Sequence, residues 1–299
     1  VSPPPLLDRL ADGDVVVADG ATGTMLRAHG LKADECPELV TLEHPDWLEE
    51  IASAYLEAGA EIIQTNTFGA SPPRLTGYRL DHLTEELNRT AVEIARRVAG
   101  SRAYVAASCG PTGLALDRCA AAPATEIGAA FERQLKAILT AGVDLILFET
   151  MSDLTEATVA IETARSLAPD MPIIVSMTFE SLVDGYKTFR GVSVAPACRR
   201  LTESGANAMG SNCGEGSASM VEIARIFRAN SELPLIMQPN AGLPLAVDGR
   251  LTYPETPELM AKNMKAMLDI GVQIIGGCCG TTPDHIRALR RLTDQRKKR

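Results

Sequence analysis

Cys278 and Cys279 stand side by side in the run Ile275-Gly276-Gly277-Cys278-Cys279-Gly280-Thr281-Thr282-Pro283. Neighbouring side chains on a regular strand point to opposite faces, so both thiols can reach one point only where the strand gives way. Gly276, Gly277 and Gly280 supply that freedom, because glycine tolerates backbone angles closed to other residues. Upstream, Gly210-Ser211-Asn212-Cys213-Gly214 sets a third thiol at the end of an apolar run, again beside glycine. Three thiolates with no obvious fourth ligand describe zinc (Zn2+) with one position open, the catalytic rather than the structural pattern. None of His29, His44, His82 or His285 falls at a strand end, so the expected fourth ligand is substrate. The competing readings are an inert trio of buried thiols and a vicinal disulfide at 278–279.

The ligand set dictates the chemistry. Three thiolates around a divalent ion leave a single net negative charge, a feeble Lewis acid toward carbonyls, which disfavours hydrolysis. A substrate thiol entering the open position loses its proton, because metal coordination lowers a thiol pKa. The electron-rich complex keeps that sulfur nucleophilic at neutral pH, and an activated alkyl group is what it attacks. This is alkyl transfer to sulfur.

Such thiols must be held by rigid elements, and the chain alternates short apolar runs with longer stretches of helical spacing. The spacing predicts strands at Val15–Gly20, Glu61–Phe68, Ala103–Gly110, Asp144–Thr150, Pro172–Phe179, Asn207–Cys213, Pro234–Asn240 and Val272–Gly276. Helices are expected near Asp46–Ala58, Thr84–Ala99, Thr125–Ala141, Asp153–Leu167, Val194–Ser204, Ser217–Ala229 and Pro257–Ile270, with a last one from Pro283. Ser152-Asp153, Ser217 and Thr282-Pro283 suit helix starts, and Ala58-Gly59 and Ala141-Gly142 suit helix stops. Eight strand–helix units make a single-domain α/β protein, a (β/α)8 TIM barrel over residues 1–299. Residues 1–14 form an N-terminal cap, with a short helix over Leu6–Leu10, and 296–299 a basic tail. An open doubly wound sheet is the alternative, but no Gly-x-Gly-x-x-Gly turn follows the first strand. Active sites in barrels collect at the C-terminal strand ends. Here those ends hold Asp19-Gly20, Asn66, Ser108-Cys109-Gly110, Glu149-Thr150, Thr178, Asn212-Cys213, Asn240 and Cys278-Cys279. Cys36 and Cys119 fall in loops and Cys198 on a helix, while position alone leaves Cys109 a candidate.

A net charge of −9 argues against a nucleic-acid or anionic-membrane surface. No apolar run approaches the ~20 residues of a membrane helix, and Val1–Pro5 do not read as a signal peptide. Seven cysteines do not make a disulfide framework, and a reducing cytoplasmic setting is expected.

The chain resembles the homocysteine S-methyltransferase family over nearly its whole length. That family includes the homocysteine-binding module of cobalamin-dependent methionine synthase and the betaine– and S-methylmethionine–homocysteine methyltransferases. The resemblance rests on Asp19–Thr24, Thr65-Asn66-Thr67-Phe68-Gly69, Gly110-Pro111-Thr112-Gly113, Phe148-Glu149-Thr150, Asn212-Cys213, Pro239–Gly242 and Gly276–Gly280. It implies that Cys213, Cys278 and Cys279 hold zinc, that homocysteine sulfur takes the open place, and that methionine is the product. It also implies that Asp19 and Glu149 lie near the amino-acid end of homocysteine, where carboxylates can accept from an ammonium group. Asn66 and Ser108 stand at strand ends within the same expected site. The substrate carboxylate would suit backbone N–H groups around Gly20–Ala21 or Ser108–Gly110. Asn240 approaches zinc or substrate, or else holds its own turn.

The methyl donor is open on this reading. Pro239–Pro244 and Ala54–Ala60 look most like the methionine synthase module, although Gln64 stands where that pattern tends to carry an acid. A separate corrinoid protein docking over the mouth, or a small donor such as S-methylmethionine or S-adenosylmethionine, would fit, since this sequence carries one barrel without folate or cobalamin domains. Trp47 is the only tryptophan and aromatics total 4%, too few for an obvious quaternary-ammonium cage; Tyr78 and Tyr186 are the loop candidates. Glu180–Ser193 is the longest expected lid. The alternative to an enzyme is a non-catalytic zinc- or thiol-binding barrel subunit.

Overall fold

Strands that are apolar on both faces must be covered on both faces, and closing them into a ring achieves this. The computed structural model describes residues 3–114, 123–247 and 250–297. It contains eight parallel strands in one sheet: β1 (Val16–Val17), β2 (Ile62–Gln64), β3 (Tyr104–Cys109), β4 (Leu145–Met151), β5 (Ile173–Met177), β6 (Ala208–Cys213), β7 (Leu235–Pro239) and β8 (Ile274–Ile275). Each pairs with its sequence neighbour, and β8 returns to β1 through Val16↔Ile274. The last seam, β1 to β2, closes by a parallel bridge between Ala18 and Ile62 and by Glu61 N donating to Val17 O at 2.6 Å. The expected barrel is therefore present, with every strand but β4 shorter than the apolar run that announces it.

Outside the ring lie α1 (Pro45–Ala58), α2 (Thr84–Ala99), α3 (Ala124–Ala141), α4 (Leu154–Leu167), α5 (Val194–Glu203), α6 (Ser217–Asn230), α7 (Pro257–Ile270) and α8 (Pro283–Lys297). Asp153 caps α4 as expected, its Oδ1 accepting from Thr155 N at 2.8 Å and Glu156 N at 3.0 Å. Gly59 and Gly142 end α1 and α3 in the left-handed region. At α6 the cap is Gly216, not Ser217, whose hydroxyl and N–H instead bond the Glu255 carboxylate.

Side-chain parity divides the barrel into two cores. Val16, Ala18, Ile62, Tyr104, Ala106, Leu145, Leu147, Ile174, Ala208, Ile236 and Ile274 pack together inside the ring, and Leu6 and Leu10 of the short helix Leu6–Ala11 close its bottom. The alternate set, including Val17, Ile63, Val105, Cys109, Ile146, Phe148, Val175 and Met237, packs in the layer shared with the outer helices. At the bottom, Glu61 ties three parts of the chain: it pairs with Arg9 at 2.8 Å and Arg290 at 3.1 Å, and accepts from Val17 N at 3.3 Å.

Several loop elements were not anticipated. A helix over Thr22–His29 follows β1 directly. Short helical turns occupy Pro37–Leu39, Val40–Glu43 and Pro72–Thr76. The expected lid after β5 is a hairpin, Glu180–Leu182 against Gly185–Lys187. A second hairpin after β7 pairs Leu245–Val247 with Arg250–Thr252. All are too short or too irregular for a 3.6-residue or two-residue period to stand out.

Candidate active site

At the C-terminal mouth, the Sγ atoms of Cys213, Cys278 and Cys279 lie within 4.8 Å of one another. Cys213 Sγ and Cys278 Sγ are 2.8 Å apart. Two local departures from strand geometry make this convergence. Cys213, last in β6, has φ 60°, and Gly280 just beyond the pair has φ 79°. A non-glycine residue rarely takes a left-handed conformation, and such residues gather at functional sites. The turn is locked by Thr281, whose Oγ1 donates to Cys278 O at 2.7 Å and accepts from Ala21 N at 3.1 Å. Tyr55 OH, from α1, donates toward Ala21 O at 2.9 Å and Thr281 O at 3.1 Å, fastening the β1 and β8 ends together.

The trio suits zinc. Tetrahedral coordination at ~2.3 Å places sulfurs about 3.8 Å apart, so modest side-chain rotation opens the cluster to receive an ion. Without metal the cluster shares its protons. The neighbouring Cys213 and Cys278 thiols push the Cys279 thiol well below the ordinary thiol range. Cys278, donating to Cys213 and Cys279 and buried, is held well above the ordinary thiol range. Among the described residues these three alone form such a metal-capable group. His285 is engaged elsewhere, Nδ1 with Thr282 and Nε2 with Glu255 O at 3.0 Å.

Beside the sulfurs opens a cavity of about 380 Å³, lined by Gly20, Asn66, Ser108, Glu149, Thr150, Phe68 and the three cysteines. Glu149 continues the inward parity of β4 and accepts a hydrogen bond from Ser108 Oγ. Burial raises its carboxyl to about 7; the Ser108 bond pulls it down, and the charges of Asp19 and Cys279 push it up. Asn66 lines the cavity while its Nδ2 anchors the wall, donating to Pro37 O at 2.8 Å and Thr41 Oγ1 at 3.2 Å. Asp19 has the parity of Val17 and lies behind this wall. Its carboxylate accepts from Gln64 N at 2.8 Å and Gln64 Nε2 at 2.9 Å, and burial raises it to about 7 against those bonds. Asn240 also lies outside the lining. Its Nδ2 donates to Gly214 O at 2.8 Å, which steadies the turn after Cys213.

Of the two backbone sites for a substrate carboxylate, the Ser108 and Gly110 N–H groups are already used, by Thr65 Oγ1 at 3.2 Å and Phe68 O at 2.9 Å, and the Ala21 N–H is likewise used, by Thr281 Oγ1 at 3.1 Å. The Gly20–Ala21 end leads instead into the helix Thr22–His29, which has no side-chain cap and whose first turn lines the cavity. Cys109 is fully buried in the outer layer, and neither Cys36 nor Cys198 lines the cavity. Cys119 falls outside the described residues.

Two further residues stand beside the cysteines. Asn212, fully buried, accepts from Thr150 N and Ser176 Oγ, both at 2.7 Å, and donates to Thr150 Oγ1 at 2.8 Å and Cys278 Sγ at 3.8 Å. Tyr253, just past the second hairpin, lays its ring against Gly280, the residue after Cys279. Parity along β6 would have marked Asn212 as inward; nothing local marks Tyr253. Tyr78 and Tyr186, the loop aromatics singled out by sequence, do not line the cavity.

A protein-family model described as homocysteine S-methyltransferase matches residues 16–293. The chain is 32% identical to a methionine synthase of Mycobacterium leprae over 301 aligned positions, covering 95% of this chain and 24% of that protein. It is 33% identical to the methionine synthase of Mycobacterium tuberculosis, covering 95% and 25%. The chain thus spans about a quarter of the length of these relatives. Among solved structures, the metallated form of the homocysteine methyltransferase MmuM from Escherichia coli matches with a TM-score of 0.80 and 25% identity, covering 96% of this chain and 99% of that one. Its apo form matches with a TM-score of 0.73.

Proposed function

This chain belongs to the homocysteine S-methyltransferase family, and we propose that it transfers a methyl group to the thiol of homocysteine, giving methionine, with zinc held by Cys213, Cys278 and Cys279. The observation that carries this reading is the convergence of three thiols within 4.8 Å at the edge of a cavity whose lining also holds a carboxylate and the start of an uncapped helix. Bound there, zinc would supply a homocysteine sulfur stripped of its proton at neutral pH. The chain's own groups do the rest. Glu149, oriented by Ser108, accepts from the substrate ammonium, with the charge of Asp19 behind it. The N–H groups opening the helix Thr22–His29 take the carboxylate, where the helix dipole favours an anion. Gly20 and Asn66 shape the cavity between these ends, and Asn240 keeps the Cys213 turn in place. A substrate held at both ends is oriented for attack on the donor.

Three free thiols at the mouth suit a reducing, cytoplasmic setting, and among the described residues no helix is long and apolar enough to cross a membrane. The donor is either a small sulfonium compound or a corrinoid carried on a partner protein, and it reaches the site from the open mouth. The test is the zinc content of purified, reduced protein, followed by homocysteine binding. One zinc per chain is expected, with Cys213→Ser losing zinc and activity while staying folded. Wild-type protein without stoichiometric zinc would overturn the reading. Supplying S-methylmethionine, S-adenosylmethionine, betaine and methylcobalamin separately and measuring methionine identifies the donor.

A further inference from the structure

A centre that makes one thiolate reactive toward methyl donors surrounds it with three more thiolates of its own. Methylation of a protein sulfur would form an S–CH3 bond as the donor's leaving group departs, turning an anionic ligand into a neutral thioether. The site would be lost. Something must separate the sulfur that reacts from the sulfurs that hold the ion.

We propose that Asn212 and Tyr253 are positioning residues that make this distinction, each donating a hydrogen bond to one protein sulfur and so lowering its nucleophilicity relative to the incoming thiol. The inference rests on the zinc–thiolate reading above. Asn212 Nδ2 lies 3.8 Å from Cys278 Sγ, and the rest of the amide is fixed by Thr150 and Ser176, so the N–H cannot swing away. Tyr253 stands beside the step from Cys279 to Gly280. Its ring lies directly against the backbone of Gly280: a Cβ built on that glycine would sit 2.0 Å from Tyr253 Cγ. The segment carrying Tyr253 is pinned by Glu255, whose N–H donates to Ala241 O at 2.9 Å, whose carboxylate bonds Ser217, and whose carbonyl meets His285. A hydrogen bond to a metal-bound thiolate draws charge from the sulfur, and such outer contacts tune the centre.

Zinc-loaded protein is treated with methyl iodide, and peptide mass spectrometry reads which cysteine carries the methyl group. Tyr253→Phe keeps the ring on Gly280 and removes only the hydroxyl. It should speed methylation at Cys279 by on the order of tenfold, the loss of one hydrogen bond to a charged group. Asn212→Asp keeps both acceptor bonds and replaces the donor, so its increase should fall at Cys278. In cobalt-substituted protein, the thiolate-to-metal charge-transfer band should shift in both variants, a change that looser packing alone would not give. If folded, zinc-replete Tyr253→Phe shows wild-type methylation at Cys279 and an unmoved band, the inference is wrong while the zinc reading stands. If the wild-type protein takes up no zinc, both fall together.

Discussion

In the proposed reaction Glu149 concentrates the substrate chemistry in one side chain. It faces the cavity, takes a hydrogen bond from Ser108, and is pushed up to about 7 chiefly by burial. Replacing it with Gln removes the charge from the proposed ammonium contact while keeping its shape. The Michaelis constant for homocysteine should rise roughly ten- to a hundredfold, the ~1.5–3 kcal/mol of one charge-assisted hydrogen bond. An unchanged value would move the ammonium site elsewhere. The raised value also has a consequence for stability. With the folded carboxyl at about 7 and the free one near 4.5, the folded protein keeps a proton that the unfolded chain has released. The stability this contributes is full below the unfolded value and is lost as pH rises through about 7. The urea midpoint should therefore decline between pH 5 and pH 8, and decline less in Glu149→Gln. A steeper decline in the variant would contradict this account.

Asp153 joins a barrel helix to the lid. One oxygen caps α4, and the other pairs with Arg190 Nε at 2.8 Å at the base of the hairpin after β5. Asp153→Ala should cost about 1–2 kcal/mol, the usual worth of such a cap. Asp153→Asn keeps the cap and weakens only the ion pair, so its effect should appear in the homocysteine Michaelis constant rather than in the melting temperature. Equal melting losses in both variants would count against this division. Between strands, Gly210 is demanded by its neighbour: a Cβ there would lie 1.7 Å from Ile236 O, a backbone atom that cannot yield. Gly210→Ala should destabilise by more than about 4 kcal/mol or prevent folding, and a normally folded variant would refute the register.

The barrel's stability and the proposed metal centre are separable. The inner and outer cores run through all eight strands, while the cysteines sit at one rim. Chelating the metal should abolish methyl transfer and leave circular dichroism and a cooperative melt intact; unfolding on chelation would make the zinc structural instead. At the opposite end, the Glu61 cluster closes the seam between β1 and β2.

The sequence by itself determined the eight strand–helix units, the family and the three thiols, because each rests on local signals: apolar periodicity, glycine punctuation and contiguous motifs. It placed Asp19, Asn66, Ser108, Glu149 and Asn240 at strand ends, which is a statement of height in the barrel. Direction was partly legible too, since two-residue parity sends Ser108, Glu149 and Asn212 inward and Asp19 and Cys109 outward. Only the tertiary structure decided what no period encodes. The first turn of the helix Thr22–His29 lines the cavity, Asn240 turns to Gly214, and Tyr253 comes from the far end of a hairpin to lie against Gly280. Those contacts depend on where irregular segments come to rest, and that is fixed by packing between residues distant along the chain rather than by the residues beside them.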